Sequence, residues 1–141
     1  MVRYKKRYCL VFVSPPLTIT LEKIQYLLKQ HVLKLFGISH SEMAQSLQVI
    51  YYHPFTGTLI IRTNLNHIHQ LRVLLLYFSS YDSIRFNAIT QHTSGTIKQL
   101  SKVFEQKIRH YIIWNAQKCD PIKMKIAIDE VMEGIELAKN K

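Results

Sequence analysis

The chain of 141 residues has only two cysteines, Cys9 and Cys119. They stand far apart with no Cys-x-x-Cys spacing, so neither a zinc site nor a disulfide framework is expected. Glycine and proline number only four each, which argues against a disordered tail. No apolar run approaches the ~18 residues needed to span a bilayer, so no membrane partner is expected. One of the two longest runs, Val73-Leu74-Leu75-Leu76-Tyr77-Phe78, has the length of a buried element. The basic N-terminus leads into a short apolar stretch without a small-residue cleavage site, which reads as intracellular. Carboxylates are scarce, nine against nineteen Lys and Arg. A two-metal nuclease site built by the protein therefore has little material. No Walker loop, G-x-G-x-x-G, Ser-His-Asp or Cys-His set occurs. The seven histidines show no metal spacing, His67 and His69 diverging on a helix. The expectation is a protein with no catalytic residue, metal or cofactor of its own.

What is present is apolar and basic. Hydrophobic residues make up 48%, which with this length describes one globular domain able to bury a core. The net charge of +10 is uneven: residues 1–119 hold fifteen Lys and Arg against four Asp and Glu, and residues 120–141 hold four against five. A strongly basic body with a mildly acidic end argues for a polyanionic partner.

Tyr4 to Val13 reads as a first strand, apolar on both alternating faces and hence covered on both. Ser14-Pro15-Pro16 ends it. Leu21, Ile24, Leu28, Val32 and Leu35 then recur at helical spacing, with Gly37 as C-cap. Ser39-x-x-Glu42 suggests a short helical turn from His40 to Gln45. Leu47–His53 and Thr58–Thr63 read as a hairpin around Pro54-Phe55-Thr56-Gly57, where Gly57 is free to take positive φ. Asn64 or Asn66 can cap the next helix, whose stripe is Ile68, Leu71, Leu74, Leu75 and Phe78. Its single charge, Arg72, predicts burial on two sides, with Leu71, Val73 and Leu76 as candidates for a protein interface. Ser83–Thr90 reads as a fourth strand through Ile84, Phe86 and Ala88 or Ile89.

The order β-α-β-β-α-β is that of a ferredoxin-like sandwich, a four-stranded antiparallel sheet against two helices. Two helical patterns follow. The first carries Ile97, Leu100, Val103, Phe104, Ile108, Tyr111 and Ile112 on one face. The second starts at Asp120-Pro121 and aligns Met124, Ala127 or Ile128, Val131, Ile135 and Ala138, while Asp129, Glu133 and Glu136 face away. These helices can cover the sheet's second face. Residues 1–119 are thus read as an RNA-binding ferredoxin-like domain with a long third helix, and residues 120–141 as an amphipathic helix packed on or extending it.

Two segments carry the functional signal. Met1-Val2-Arg3-Tyr4-Lys5-Lys6-Arg7-Tyr8-Cys9 joins a phosphate-seeking arm to a buried strand; alternation puts Arg3, Lys5 and Arg7 on one face and Lys6 on the other. Ser94-Gly95-Thr96-Ile97-Lys98 joins a strand end to a helix N-terminus, where backbone N–H groups and the helix dipole favour a phosphate. Lys98, Lys102, Glu105 and Arg109 form one stripe of that helix. Thr56, Gly57 and Arg62 could add a loop and a cation.

In order and spacing, the opening run, Phe55-Thr56-Gly57 followed by Ile61-Arg62, the apolar helix around Leu71–Phe78 and Ser94-Gly95-Thr96-Ile97-Lys98 resemble the Pop-five family of small protein subunits of ribonuclease P and ribonuclease MRP. Eukaryotic members open with a Met-Val-Arg-aromatic-Lys-x-Arg-Tyr run. The direct passage from Pro15-Pro16 into a helix, and the helical acidic end, depart from relatives with a longer insert and a ragged tail. The resemblance implies a ferredoxin-like fold with added helices and no active site. It further implies binding to a structured catalytic RNA that uses magnesium, beside a TIM-barrel-like subunit and a large scaffold subunit. The work implied is 5′ maturation of precursor tRNA and rRNA processing, in the nucleus and nucleolus. The opening run favours this subunit over its fourteen-kilodalton paralogue. An RNA-recognition-type single-strand binder is the alternative, but the aromatic signature of that class is missing. A protein-only interaction module is a third.

Overall fold

A strand apolar on both faces requires two covers, and both exist. The computed structural model describes residues 5–14, 17, 19–37, 41–54, 57–81, 84–115 and 121–138, the side chains of 41, 81, 108–115, 121 and 124 excepted. Strand β1 (Lys6–Ser14) is followed by helices α1 (Leu21–Phe36) and α2 (Ser41–Ser46). Strands β2 (Gln48–His53) and β3 (Thr58–Asn64) form the hairpin. A short 3-10 turn (Leu65–His67) leads into α3 (Ile68–Tyr77). Two-residue strands β4 (Ser80–Tyr81) and β5 (Ile84–Arg85) precede β6 (Asn87–Ser94), α4 (Ile97–Asn115) and α5 (Pro121–Ala138). The main sheet has the order β2-β3-β1-β6 and every pairing in it is antiparallel, the ferredoxin-like arrangement.

The two faces of β1 belong to two cores. Cys9, Val11 and Val13 join Val49, Leu59 and Ile61 under α1, α2 and α3, with Ile24, Leu28, Val32, Leu71 and Leu74 completing that layer. Leu10 joins Ile50 and Ile60 on the opposite face, under Ile97, Leu100 and Phe104 of α4 and Val131, Ile135 and Ala138 of α5. Phe12 meets Phe104 edge-to-face there. Each fully buried aliphatic side chain contributes about 1.5–3 kcal/mol, so α4 and α5 are integral covers of the sheet.

Several expectations shift in detail. Leu35 is exposed, because α1 ends within a turn of it and Gly37 closes the helix by donating its N–H to Leu33 O. Asn64 supplies no side-chain cap to the following turn; its amide oxygen accepts instead from Lys6. The fourth strand of the main sheet begins at Asn87 rather than Ser83, and Ile84 is exposed in the small β4–β5 hairpin. Ser39, Pro15 and Pro16, Phe55 and Asp120 lie outside the described residues. The ring hydroxyl of Tyr52 accepts from Leu17 N–H at 2.9 Å and donates to Leu17 O at 2.6 Å. That pair ties the segment after β1 to β2.

Helix α5 sits on β2 through Gly134. A Cβ built there would fall 2.4 Å from the Tyr51 ring, which leaves room only for hydrogen. Burial and the nearby Glu130 carboxylate push the Tyr51 hydroxyl up to about 12. Glu130 also lies 2.9 Å from His53 Nε2, a second tie between α5 and β2. Gly134→Ala is expected to overpack this seam by about 1–3 kcal/mol and to lower Tm by several degrees. Tyr51→Leu in the same chain should recover part of the loss. Thermal unfolding of the three variants checks it; equal melting of Gly134→Ala and the parent would show that the ring moves freely.

Candidate nucleic-acid interface

Pairing register brings the two basic segments to one end of the sheet. Lys6, Arg7 and Tyr8 face Asn64, Thr63 and Arg62 on β3, and Tyr8 faces Ser94 on β6. The ladder continues outward, since Leu65 N–H donates to Lys5 O at 2.8 Å. Lys5 and Lys6 are exposed and Arg7 is half-buried. Lys6 Nζ donates to Asn64 Oδ1 at 2.7 Å, and Arg7 Nη1 donates to Lys6 O at 3.0 Å. These bonds hold two cations of the strand in defined positions.

Arg7 reaches the second segment. A Cβ added to Gly95 would stand 3.3 Å from Arg7 Nη1, so the guanidinium lies over the glycine. A methyl there would displace it by a few tenths of an ångström. Next to it α4 begins. Thr96 N–H donates to Ser94 Oγ at 3.1 Å, and Gln99 N–H donates to Thr96 Oγ1 at 3.4 Å. Ser94 Oγ also donates to Gln99 Oε1. The hydroxyls thus cap the helix, and its positive dipole end stands beside Arg7. Ser94 is buried, while Gly95, Thr96, Lys98 and Lys102 are exposed.

Arg62 is half-buried at the same end and donates to Gln48 Oε1 across the β2–β3 pair. Arg72 of α3 had no place among the expected site residues. It is exposed and donates to Thr93 Oγ1 at 3.2 Å, the threonine that pairs with Cys9 two residues along β1 from Arg7. Its signal was being the one charge on an apolar helix. Burial pushes the Cys9 thiol up, against smaller opposing effects of its Thr93 hydrogen bond and Arg72. Cys9 is a core thiol.

Not every residue expected at the interface belongs here. Gly57 is buried at the far end of β1, and its carbonyl accepts from Val13 N–H at 2.8 Å. The stretch of strand between Arg7 and Ser14 puts it roughly 20 Å away, with its open side filled by backbone, so it serves the turn. Leu71 is completely buried in the core, because its position in α3 points at the sheet; Val73 and Leu76 are exposed, at 41% and 78%. Arg3, Thr56 and the side chain of Arg109 lie outside the described residues. Position 109 is about 18 Å along α4 from Ile97. Among the described residues no group of three His, Cys, Asp or Glu could hold a metal ion, and no helix is long and apolar enough to cross a membrane.

A ferredoxin-like sheet buried on both faces, with cations and a capped helix N-terminus gathered at one end, defines a domain that can meet a polyanion at its sheet end. The model of the Rpp14/Pop5 family matches residues 7–105, and the chain belongs to that family. A chain of the cryo-EM structure of yeast ribonuclease MRP is similar in fold, with TM-score 0.51 and 12% identity, over 78% of this chain and 96% of that one. No curated protein matches the sequence at a significant level.

Proposed function

We propose that the chain is a non-catalytic, RNA-binding protein subunit of a ribonuclease P or ribonuclease MRP particle. Membership of the Rpp14/Pop5 family and the likeness to a ribonuclease MRP chain support that class of particle. The observation that carries RNA binding is the Arg7 guanidinium lying over Gly95 at the start of α4, with Lys5, Lys6, Arg62, Lys98 and Lys102 on the same end of the domain. A phosphate placed there would meet a fork of N–H donors, a helix dipole and several ammonium groups at once. The main sheet's faces lie under helices, so among the described residues the sheet offers bases no open aromatic platform. Recognition then runs through the RNA backbone and its shape.

In this reading the chemistry belongs to the RNA and its magnesium ions, and the protein offsets phosphate repulsion in the folded RNA core. Its partners are that RNA, a TIM-barrel-like subunit and a large scaffold subunit. The work is 5′ maturation of precursor tRNA and rRNA processing in the nucleus and nucleolus. Purification through the tagged chain with RNA sequencing tests this: one or two structured RNAs with several proteins are expected. In the reconstituted particle, glutamine at Lys98 and Lys102 should raise the magnesium demand and spare activity at saturating magnesium. An RNA-free chain, or hydrolysis by the purified protein that one Asp or Glu substitution abolishes, would overturn the proposal.

A further inference from the structure

The sheet end gathers one cluster of cations but leaves one side of the domain unexplained. Strand β6 is an edge of the main sheet, paired on one side with β1. Its register slips between Leu10 and Val11, leaving Asn87–Thr90 as a regular stretch opposite Ser14–Val11. An edge strand presents N–H and C=O groups without ladder partners and is a template for another chain. Native edges are commonly blunted by charge or proline, yet Asn87–Thr90 carries neither. Ile89 there is 54% exposed.

Beside this edge runs a groove of about 650 Å³ between β6 and α3, with Leu75, Leu76 and Ala88 among its walls and Arg72 and His92 toward one end. A smaller hollow continues it past Leu76 to Ser79 and Asn87. Among the described residues no Asp or Glu lines either. The apolar stretch suits side chains rather than phosphates, and Arg72 suits a carboxylate. A second copy of this chain would bring a net charge of +10 against another +10, which opposes self-pairing.

We infer that an extended segment of an acidic-residue-bearing protein partner adds a strand to β6, laying alternate apolar side chains over Leu76 and Ala88 and setting a carboxylate against Arg72. Backbone pairing along the edge would give affinity, and the groove and Arg72 would give register and direction. The inference rests on the proposed membership of a multi-protein particle and adds the docking mode.

The test uses the full chain, produced in its own cells with a photoreactive phenylalanine analogue at position 76 or 89, and the particle purified through a tag on this chain. Both positions are expected to capture one partner polypeptide, within a single stretch no longer than one strand that alternates apolar residues and contains Asp or Glu. Arg72→Glu should cut the yield of both crosslinks about tenfold, the worth of one charge-assisted hydrogen bond, and Arg72→Lys should retain most of it. Crosslinks to RNA, to a second copy of this chain or to unrelated stretches, or none from an intact particle, would overturn the docking mode alone. A chain that purifies with neither RNA nor protein would overturn the functional proposal and the docking mode with it.

Discussion

Replacing Lys5, Lys6 and Arg7 together with glutamine is expected to weaken binding of the co-purifying RNA by at least about a hundredfold near physiological salt. Each charge-assisted hydrogen bond to a phosphate contributes about 1.5–3 kcal/mol net. The slope of log affinity against log salt should flatten by roughly 0.7–0.9 for each phosphate no longer neutralised, about two units or more in all. Stability should follow only modestly: exposed Lys5 contributes ~1 kcal/mol or less, while loss of the Lys6–Asn64 bond and of half-buried Arg7 should lower Tm by a few degrees. Filter binding across a salt series, set beside thermal unfolding of the same variant, reads both quantities. An unchanged slope with a fallen Tm would make the three cations structural. Gly95→Ala offers a finer control, since it moves the Arg7 guanidinium slightly and leaves every charge in place.

Gly57→Ala is expected to do the opposite. Gly57 has φ +72, a left-handed conformation that costs a side-chain-bearing residue roughly 1–2 kcal/mol. Its added Cβ would fall 2.1 Å from Val13 O, a backbone atom held by the sheet. The turn cannot relax without breaking the bond from Val13 N–H to Gly57 O and the bond from Gly57 N–H to His53 O, both 2.8 Å. Strain and overpacking together predict a loss of about 3–5 kcal/mol and a Tm lower by roughly 10 °C or more. The fraction still folded should bind RNA with unaltered affinity, because the turn lies at the other end of β1. Lost binding with an unchanged Tm would return Gly57 to the interface.

The contrast between these two variants shows where the chain is legible. The doubly apolar β1, the stripes of α1 and α3 and the covering role of α4 and α5 follow from periodicity, because each buries a face against one neighbour. The fourth strand is harder. Its second half, Thr90-Gln91-His92-Thr93-Ser94, is polar and mostly only half-buried at a sheet edge, so no apolar alternation marks it, and the apolar Ile84 and Phe86 draw the expectation too early. The two basic segments were legible as segments. Their meeting was not, since it depends on strand order and on one side chain crossing to Gly95. Arg72 escaped for a similar reason: a lone charge on a helix has no motif, and only the packing of α3 beside β6 sets it over Thr93. Gly57 misled because positive φ in a turn looks the same in sequence whether it frees the backbone for a ligand or lets another strand approach.

The central place of β1 between β3 and β6 has a consequence for synthesis. β1 emerges first and can pair with β3 once the hairpin has formed, but its other ladder waits for Asn87–Ser94. Until then one side of the central strand stays open, and Arg7 has no Gly95 to cover. The cluster of positive charge is therefore assembled by the closing step of the sheet. A nascent chain, or a copy with a frayed β6, would carry the same cations in the wrong places, and on the proposed function it should bind RNA less tightly than a finished molecule.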